Sequence, residues 1–154
     1  MITSIHELVA AHPFFTGLDA DAVELTSGCA QNVVFSPGTI LLAEGESADT
    51  FYLIRQGRVS IEVHAPGRGP TVIETLGPGN VVGWSWLVPP FLWTFDARAR
   101  DHVRAVAIDG ACLRGKAQSD PAFGFALLTR VSSELLQRLQ ATRIRLLDLY
   151  GELT

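Results

Sequence analysis

The chain has 154 residues, 47% of them hydrophobic and 18% charged, a composition that excludes a disordered protein and fits one folded domain. Lys and Arg number 12 against 16 Asp and Glu, a formal charge of −4, so the surface lacks the basic excess that holds nucleic-acid phosphates. Cys29 and Cys112 are too few for a disulfide framework or a cysteine zinc site, and they read as two reduced thiols of a cytoplasmic protein.

The first 30 residues read as short helices. Ser4 caps a turn carrying Ile5, Leu8 and Val9, with Glu7 as its capping-box partner. His12-Pro13 stops it, because the residue before proline is pushed out of helical geometry. Asp19 caps a second helix anchored by Val23 and Leu25.

From residue 31 to 108 short apolar or alternating runs recur between glycine and proline turns. Val33-Phe35, Thr39-Ala43, Phe51-Ile54, Val59-Val63, Thr71-Leu76, Val81-Val82 and Ala97-Ala105 read as strands, with a further apolar stretch to Ile108. No helix-length segment separates them, which excludes a parallel βαβ layout and points to a sandwich or barrel. The most apolar stretch, Val81 to Trp93, is broken by Pro89-Pro90 and is shorter than the roughly 20 residues that span a bilayer. With no signal-peptide pattern either, the expectation is a soluble protein with no membrane partner.

Residues 109–154 return to helical texture. Asp109-Gly110 opens a short helix through Lys116, and Pro121 suits the first turn of a long one. The long helix has room for about 45 Å of rod. Leu128, Leu135, Thr142 and Leu149 alternate with Ser132, Leu139, Leu146 and Leu153 at heptad spacing, while Leu127, Val131, Leu136 and Leu147 fall beside that seam. A helix apolar on two sides packs on its own domain and on a second copy, so a homodimer through this helix is expected. Arg138, Arg143 and Arg145 read as exposed flanks of the seam.

Several segments resemble the cyclic nucleotide-binding domain of catabolite-activator-type regulators, protein kinase A regulatory subunits and gated channels. They are His12-Pro13-Phe14-Phe15-Thr16-Gly17-Leu18, Phe35-Ser36-Pro37-Gly38-Thr39-Ile40-Leu41, Glu44-Gly45-Glu46, Phe51 through Val59, and Leu76 through Gly83. The resemblance covers almost the whole chain. It implies a mainly β fold, a double-stranded β-helix or jelly-roll barrel (31–108) flanked by N-terminal helices (1–30) and a long C-terminal helix (109–154).

The family's phosphate-binding cassette has a glycine, a glutamate that takes the ribose hydroxyl, a short helix, and an arginine that holds the cyclic phosphate. Here Gly83 stands in place, Trp84 occupies the glutamate position and Trp93 falls near the arginine position. An indole offers one donor and no charge, so it does not replace a guanidinium. Losing both anchors costs roughly 1.5–3 kcal/mol each, or about 10²–10⁴ in affinity together. Three readings of Trp84, Ser85, Trp86 and Trp93 stand open: packing that fills a redundant pocket, walls for a flatter and more apolar ligand, or a patch for a protein partner. On one continuous strand Arg98, Arg100, His102 and Arg104 share a solvated basic face; in another register Arg98 becomes a substitute anion anchor.

The expected function is a non-enzymatic sensor module that does not bind cyclic AMP or cyclic GMP in the usual way, and acts through an unknown small molecule or protein. The alternative is cyclic nucleotide binding through altered contacts, as the effector part of a regulator. Only Gly151 to Thr154 follow the long helix, so direct DNA binding by this chain is not expected. A cupin-like metal enzyme needs a His-x-His pair; His6, His12, His64 and His102 are scattered, so neither metal nor other cofactor is expected.

Overall fold

The computed structural model describes residues 4–152. Helix α1 (Ile5–Ala11) begins with the reciprocal Ser4 and Glu7 capping box. A 3-10 turn, Pro13–Phe15, follows, and helix α2 (Ala20–Ser27) is capped by the Asp19 carboxylate, which accepts from the Ala22 amide. The strands are β1 (Ala30–Phe35), β2 (Ile40–Leu42), β3 (Thr50–Gln56), β4 (Val59–Ala65), β5 (Gly69–Leu76), β6 (Val81–Val82), β7 (Asp96–Ala99) and β8 (Val103–Asp109). Helices α3 (Gly110–Ser119) and α4 (Pro121–Glu152) complete the order. Expected to end at Lys116, α3 runs on to Ser119, because only Asp120, the residue before Pro121, is forced into extended geometry.

All strand pairs are antiparallel, in two four-stranded sheets ordered β1-β8-β3-β6 and β2-β7-β4-β5. The sheets share no strand among the described residues, so the barrel of the sequence reading is not closed. The apolar side chains of Phe51, Leu53, Val59, Ile61, Val106 and Ile108 are buried with Phe14 and Phe15 from the N-terminal segment. His12 joins them: its Nε2–H donates to the Ile54 carbonyl and its Nδ1 accepts from the Phe14 amide. Burial holds its pKa below the ordinary value, which keeps this tautomer neutral.

Ala97 to Ala105 does not form the single strand expected. It divides at Asp101-His102 into β7 and β8, which lie in different sheets. Arg104 therefore does not share a strand face with Arg98 and Arg100, and the common basic face dissolves. The break packs on the β3–β4 turn, where Gly57 has φ +91° and the Asp101 carboxylate accepts from the Arg58 amide at 2.7 Å. A Cβ on Gly57 would sit 3.0 Å from Val103 Cα and closer still to the His102 carbonyl oxygen.

Cys29 and Cys112, expected as reduced thiols, form a disulfide with 5.8 Å between their Cα atoms. β1 pairs with β8 from Ala30↔Ile108 onward, and the Asp109 amide donates to the Cys29 carbonyl at 2.9 Å. That pairing delivers the first turn of α3 to the residue that precedes β1. With a sequence separation of 83, the crosslink removes about 4.5 kcal/mol of unfolded-chain entropy in the loop-closure picture.

One face of the β2-β7-β4-β5 sheet carries a polar row. Arg98 Nε donates to the buried Glu62 carboxylate at 3.2 Å, its Nη1 donates to the Gly38 carbonyl, and Ser60 Oγ also donates to Glu62. Beside them His64 Nε2 lies 2.7 Å from Asp96, whose second oxygen accepts from the Glu44 amide at 2.7 Å. The hydrogen bond to Asp96 raises the pKa of His64 above 6.5, and the Glu44 amide, followed by His64, lowers that of Asp96 below 3.8.

Two outcomes follow from this packing. Gly57→Ala is expected to destabilise the fold by about 1–3 kcal/mol in urea or guanidinium denaturation, through left-handed strain and the crowded Val103 backbone. The His64 contribution is complete below its unfolded pKa and is lost as pH rises through the raised folded value. The Asp96 contribution is present above its unfolded pKa and is lost as pH falls through the depressed one. The stability difference between wild type and His64→Gln is therefore expected to peak near about pH 5–6 and shrink by about pH 8.5, as read in denaturation midpoints across pH.

Candidate functional site

Strand β6 runs into Gly83 at φ +96°, a conformation that only glycine holds without strain. The space above this glycine is full. A Cβ placed there would lie 2.5 Å from Trp93 Cζ3 and 2.6 Å from Cη2, with Leu42 Cδ1 at 3.1 Å. Trp93 is 4% exposed. Its indole therefore rests on the Gly83 backbone, next to Leu42.

The loop that carries Trp93 is sewn to the β2–β3 connection. The Trp93 amide donates to the Glu46 carbonyl at 3.0 Å, and the Trp93 carbonyl accepts from the Gly45 amide at 2.9 Å. The Ala48 amide donates to the Phe91 carbonyl at 2.7 Å, and Ser47 bridges Leu92. These contacts hold Trp93 from both sides.

Trp86 is fully buried and stacks on Phe51, ring centroids 4.2 Å apart and planes 6° from parallel. Gly110, the first residue of α3, closes over it: a Cβ there would meet Trp86 Cβ at 2.8 Å. Trp84 leans on Phe14 at 6.0 Å. The Nε1 donors of Trp84 and Trp86 are buried with no hydrogen-bond partner among the described residues, which costs roughly 1–3 kcal/mol each. Ser85 lies with Trp84, Val88, Pro90, Leu92 and Thr94 around an open depression of about 280 Å³.

The six candidate residues thus separate. Gly83 and Trp93 touch, Trp84 and Trp86 enter different aromatic contacts, and Ser85 borders the outer depression. Arg98 alternates with the buried Ala97 and Ala99, so it projects from the opposite face of β7, where Glu62 already neutralises it.

Two arginines that the sequence reading did not single out as site residues bind the cassette to the helices. Arg114 of α3 lies 4.1 Å from the centre of the Phe91 ring and donates to the Trp86 carbonyl. Arg138 of α4, expected as an exposed flank, is only a quarter exposed; it donates to Glu74 at 2.6 Å and to the Val81 carbonyl at 3.4 Å. Arg130 adds a bond to the Phe14 carbonyl at 2.7 Å. No local pattern in the sequence marks these contacts, because their acceptors lie 28 to 116 residues away.

On α4, Phe123, Leu127 and Val131 are buried against the body, and from residue 135 to 151 none is. Leu128, Leu135, Leu139, Leu146 and Leu149 are each 42–56% exposed, and Thr142 is exposed beside them. Leu153 lies outside the described residues. No helix among the described residues is long and apolar enough to cross a membrane.

Comparison with known proteins adds identity to this geometry. The profile of the cyclic nucleotide-binding domain matches residues 32–120. A CRP-like cAMP-activated global transcriptional regulator of Mycobacterium tuberculosis is 32% identical over 143 residues, which cover 93% of this chain and 62% of the relative. The acetyltransferase Pat of Mycolicibacterium smegmatis is 36% identical over 75 residues, 49% of this chain and 22% of that protein. A solved structure assigned as a cyclic nucleotide-binding protein from Geobacter metallireducens superposes with a TM-score of 0.78 at 28% identity, covering 90% of this chain and 99% of that one. The match spans the strands, the cassette and α3 together, and the chain belongs to the cyclic nucleotide-binding domain family.

Proposed function

We propose that this domain is a non-enzymatic regulatory module whose cassette is closed by its own side chains, so that its input is not a cyclic nucleotide held in the family's usual mode. The observation that carries this reading is the Trp93 ring on the Gly83 backbone. A cyclic phosphate needs that space, backbone amides and a guanidinium. Here an uncharged ring fills the space, and Arg98 is turned to Glu62 on the other face. Trp86, stacked on Phe51 and covered by Gly110, supports packing over a ligand wall at its position. The outer depression at Ser85 is open and apolar, and it suits a protein or small-molecule contact better than a charged phosphate.

A second reading keeps cyclic nucleotide binding through altered contacts; it is favoured by the relatedness to a cAMP-activated regulator. Calorimetric titration separates the two. With cyclic AMP or cyclic GMP raised to millimolar concentration, no saturable heat is expected, in line with a loss of about 10²–10⁴ in affinity. Binding in the micromolar range would overturn the closed-cassette reading.

The same module pairs with a second copy through α4. A self-complementary seam of leucines at heptad spacing, left without cover on its own chain, supports this assembly. Leu135→Glu combined with Leu146→Glu is expected to convert a sedimenting dimer to a monomer while the thermal midpoint changes little, since neither side chain is buried on its own chain. A wild-type protein that sediments as a monomer at tens of micromolar would remove the proposal.

A further inference from the structure

We propose that the Cys29–Cys112 bond is a redox-exchangeable site, opened and closed by dithiols, that decides whether α3 stays clamped to the α2–β1 junction. The bond lies outside the strand pairing, between the residue that follows the α2 cap Gly28 and the first turn of α3. Leu113 of α3 is buried in the core, and three hydrogen bonds hold the helix and the residue before it beside the disulfide. Lys116 Nζ donates to the Leu25 carbonyl at 2.6 Å, the Asp109 amide donates to the Cys29 carbonyl, and the Gly110 amide donates to the Asp49 carbonyl at 2.7 Å. The Lys116 contact is itself made possible by Gly28, where a Cβ would meet Nζ at 2.5 Å.

The bond is also approachable. An open depression of about 350 Å³ is lined by both cysteines together with Gly28, Gln31, Thr50 and Asp109. Cys112 is half-buried and Cys29 is 9% exposed, so Cys112 is the more open residue of the pair and is taken as the point of attack. Access therefore selects the attacked sulfur.

The exchange balances with a dithiol. One thiolate of the reductant attacks Cys112 Sγ, forming a mixed disulfide and releasing Cys29 as thiolate. The second thiol of the reductant, deprotonated, then attacks its own sulfur in the mixed disulfide and releases Cys112. The dithiol becomes a disulfide, the protein gains two electrons, and the two protons from the dithiol end on Cys29 and Cys112. An oxidised dithiol runs the sequence backwards.

The consequence reaches the cassette because Arg114 projects from the same short helix. Its guanidinium covers Phe91 and donates to the Trp86 carbonyl, so a displaced α3 pulls on the loop that holds Trp93. This input does not depend on whether the cassette admits a nucleotide.

The test uses the full chain in buffers of reduced and oxidised dithiothreitol at fixed total concentration, with thiols trapped by a maleimide that adds visible mass. Expected is complete, reversible opening in native protein, with amide exchange in α3 accelerated at least tenfold more than in β3 and β8, whose exchange follows the global loss of stability. Cys112→Ser should show the α3 exchange of the reduced state; if that variant does not fold, reduced wild type supplies the same comparison. Thiols that appear only in denaturant, thiols that oxidised dithiothreitol fails to join, or reduced protein in which α3 loses no more protection than β3 and β8 would each overturn the proposal.

Discussion

The Trp93 indole on the Gly83 backbone is the contact from which the rest of the site takes its shape. Gly83 adopts a left-handed conformation, and in that geometry its backbone is bare enough for a ligand or a ring to lie against it. In this chain the ring is covalently part of the same loop. Holding it there requires the bonds between Trp93 and the Gly45–Glu46 turn, and these in turn bring Leu92 beside Ser47. The loop from Phe91 to Trp93 is thereby paired with the β2–β3 connection through its backbone. In the closed-cassette reading proposed above, a nucleotide at Gly83 would have to displace an indole that is already desolvated and packed.

Around that contact, arginines do what a ligand's charge would otherwise invite them to do elsewhere. Arg114, Arg130 and Arg138 each reach from a C-terminal helix to a backbone carbonyl, those of Trp86, Phe14 and Val81. A guanidinium satisfies several acceptors at once and stacks on rings, so Arg114 and Arg138 join the two helices to the cassette and Arg130 joins α4 to the Pro13–Phe15 turn, alongside the apolar packing of Leu113, Phe123, Leu127 and Val131. α4 is otherwise buried only through its first turns, up to Val131. The helices and the cassette are therefore joined by polar contacts as well as by the packing of Gly110 on Trp86. The disulfide adds one covalent tether on the opposite side of α3.

Much of the local structure was legible without coordinates. The Ser4–Glu7 box, the Asp19 cap, the stop at His12-Pro13 and the start at Pro121 rest on short-range sterics and hydrogen bonds, and all appear where the sequence places them. The strands appear within a few residues for the same reason. Failures came where a rule of spacing was carried across a turn. Alternation placed Arg98 and Arg104 on one face, but a break at Asp101-His102 sends the two halves to different sheets. Arg138 looked like a solvated flank because its partner Glu74 is 64 residues away.

The amino-acid sequence by itself determined the family and the order of elements, because each depends on residue identity and short spacing. Only the tertiary structure decided that Trp93 lies on Gly83, that Arg98 faces Glu62, and that Cys29 meets Cys112. Those outcomes depend on which strands pair and in what register: β1 beside β8 joins the cysteines, and β7 between β2 and β4 turns Arg98 away from Ala97 and Ala99. Contacts between residues far apart in the chain are products of that pairing, and no local pattern encodes them.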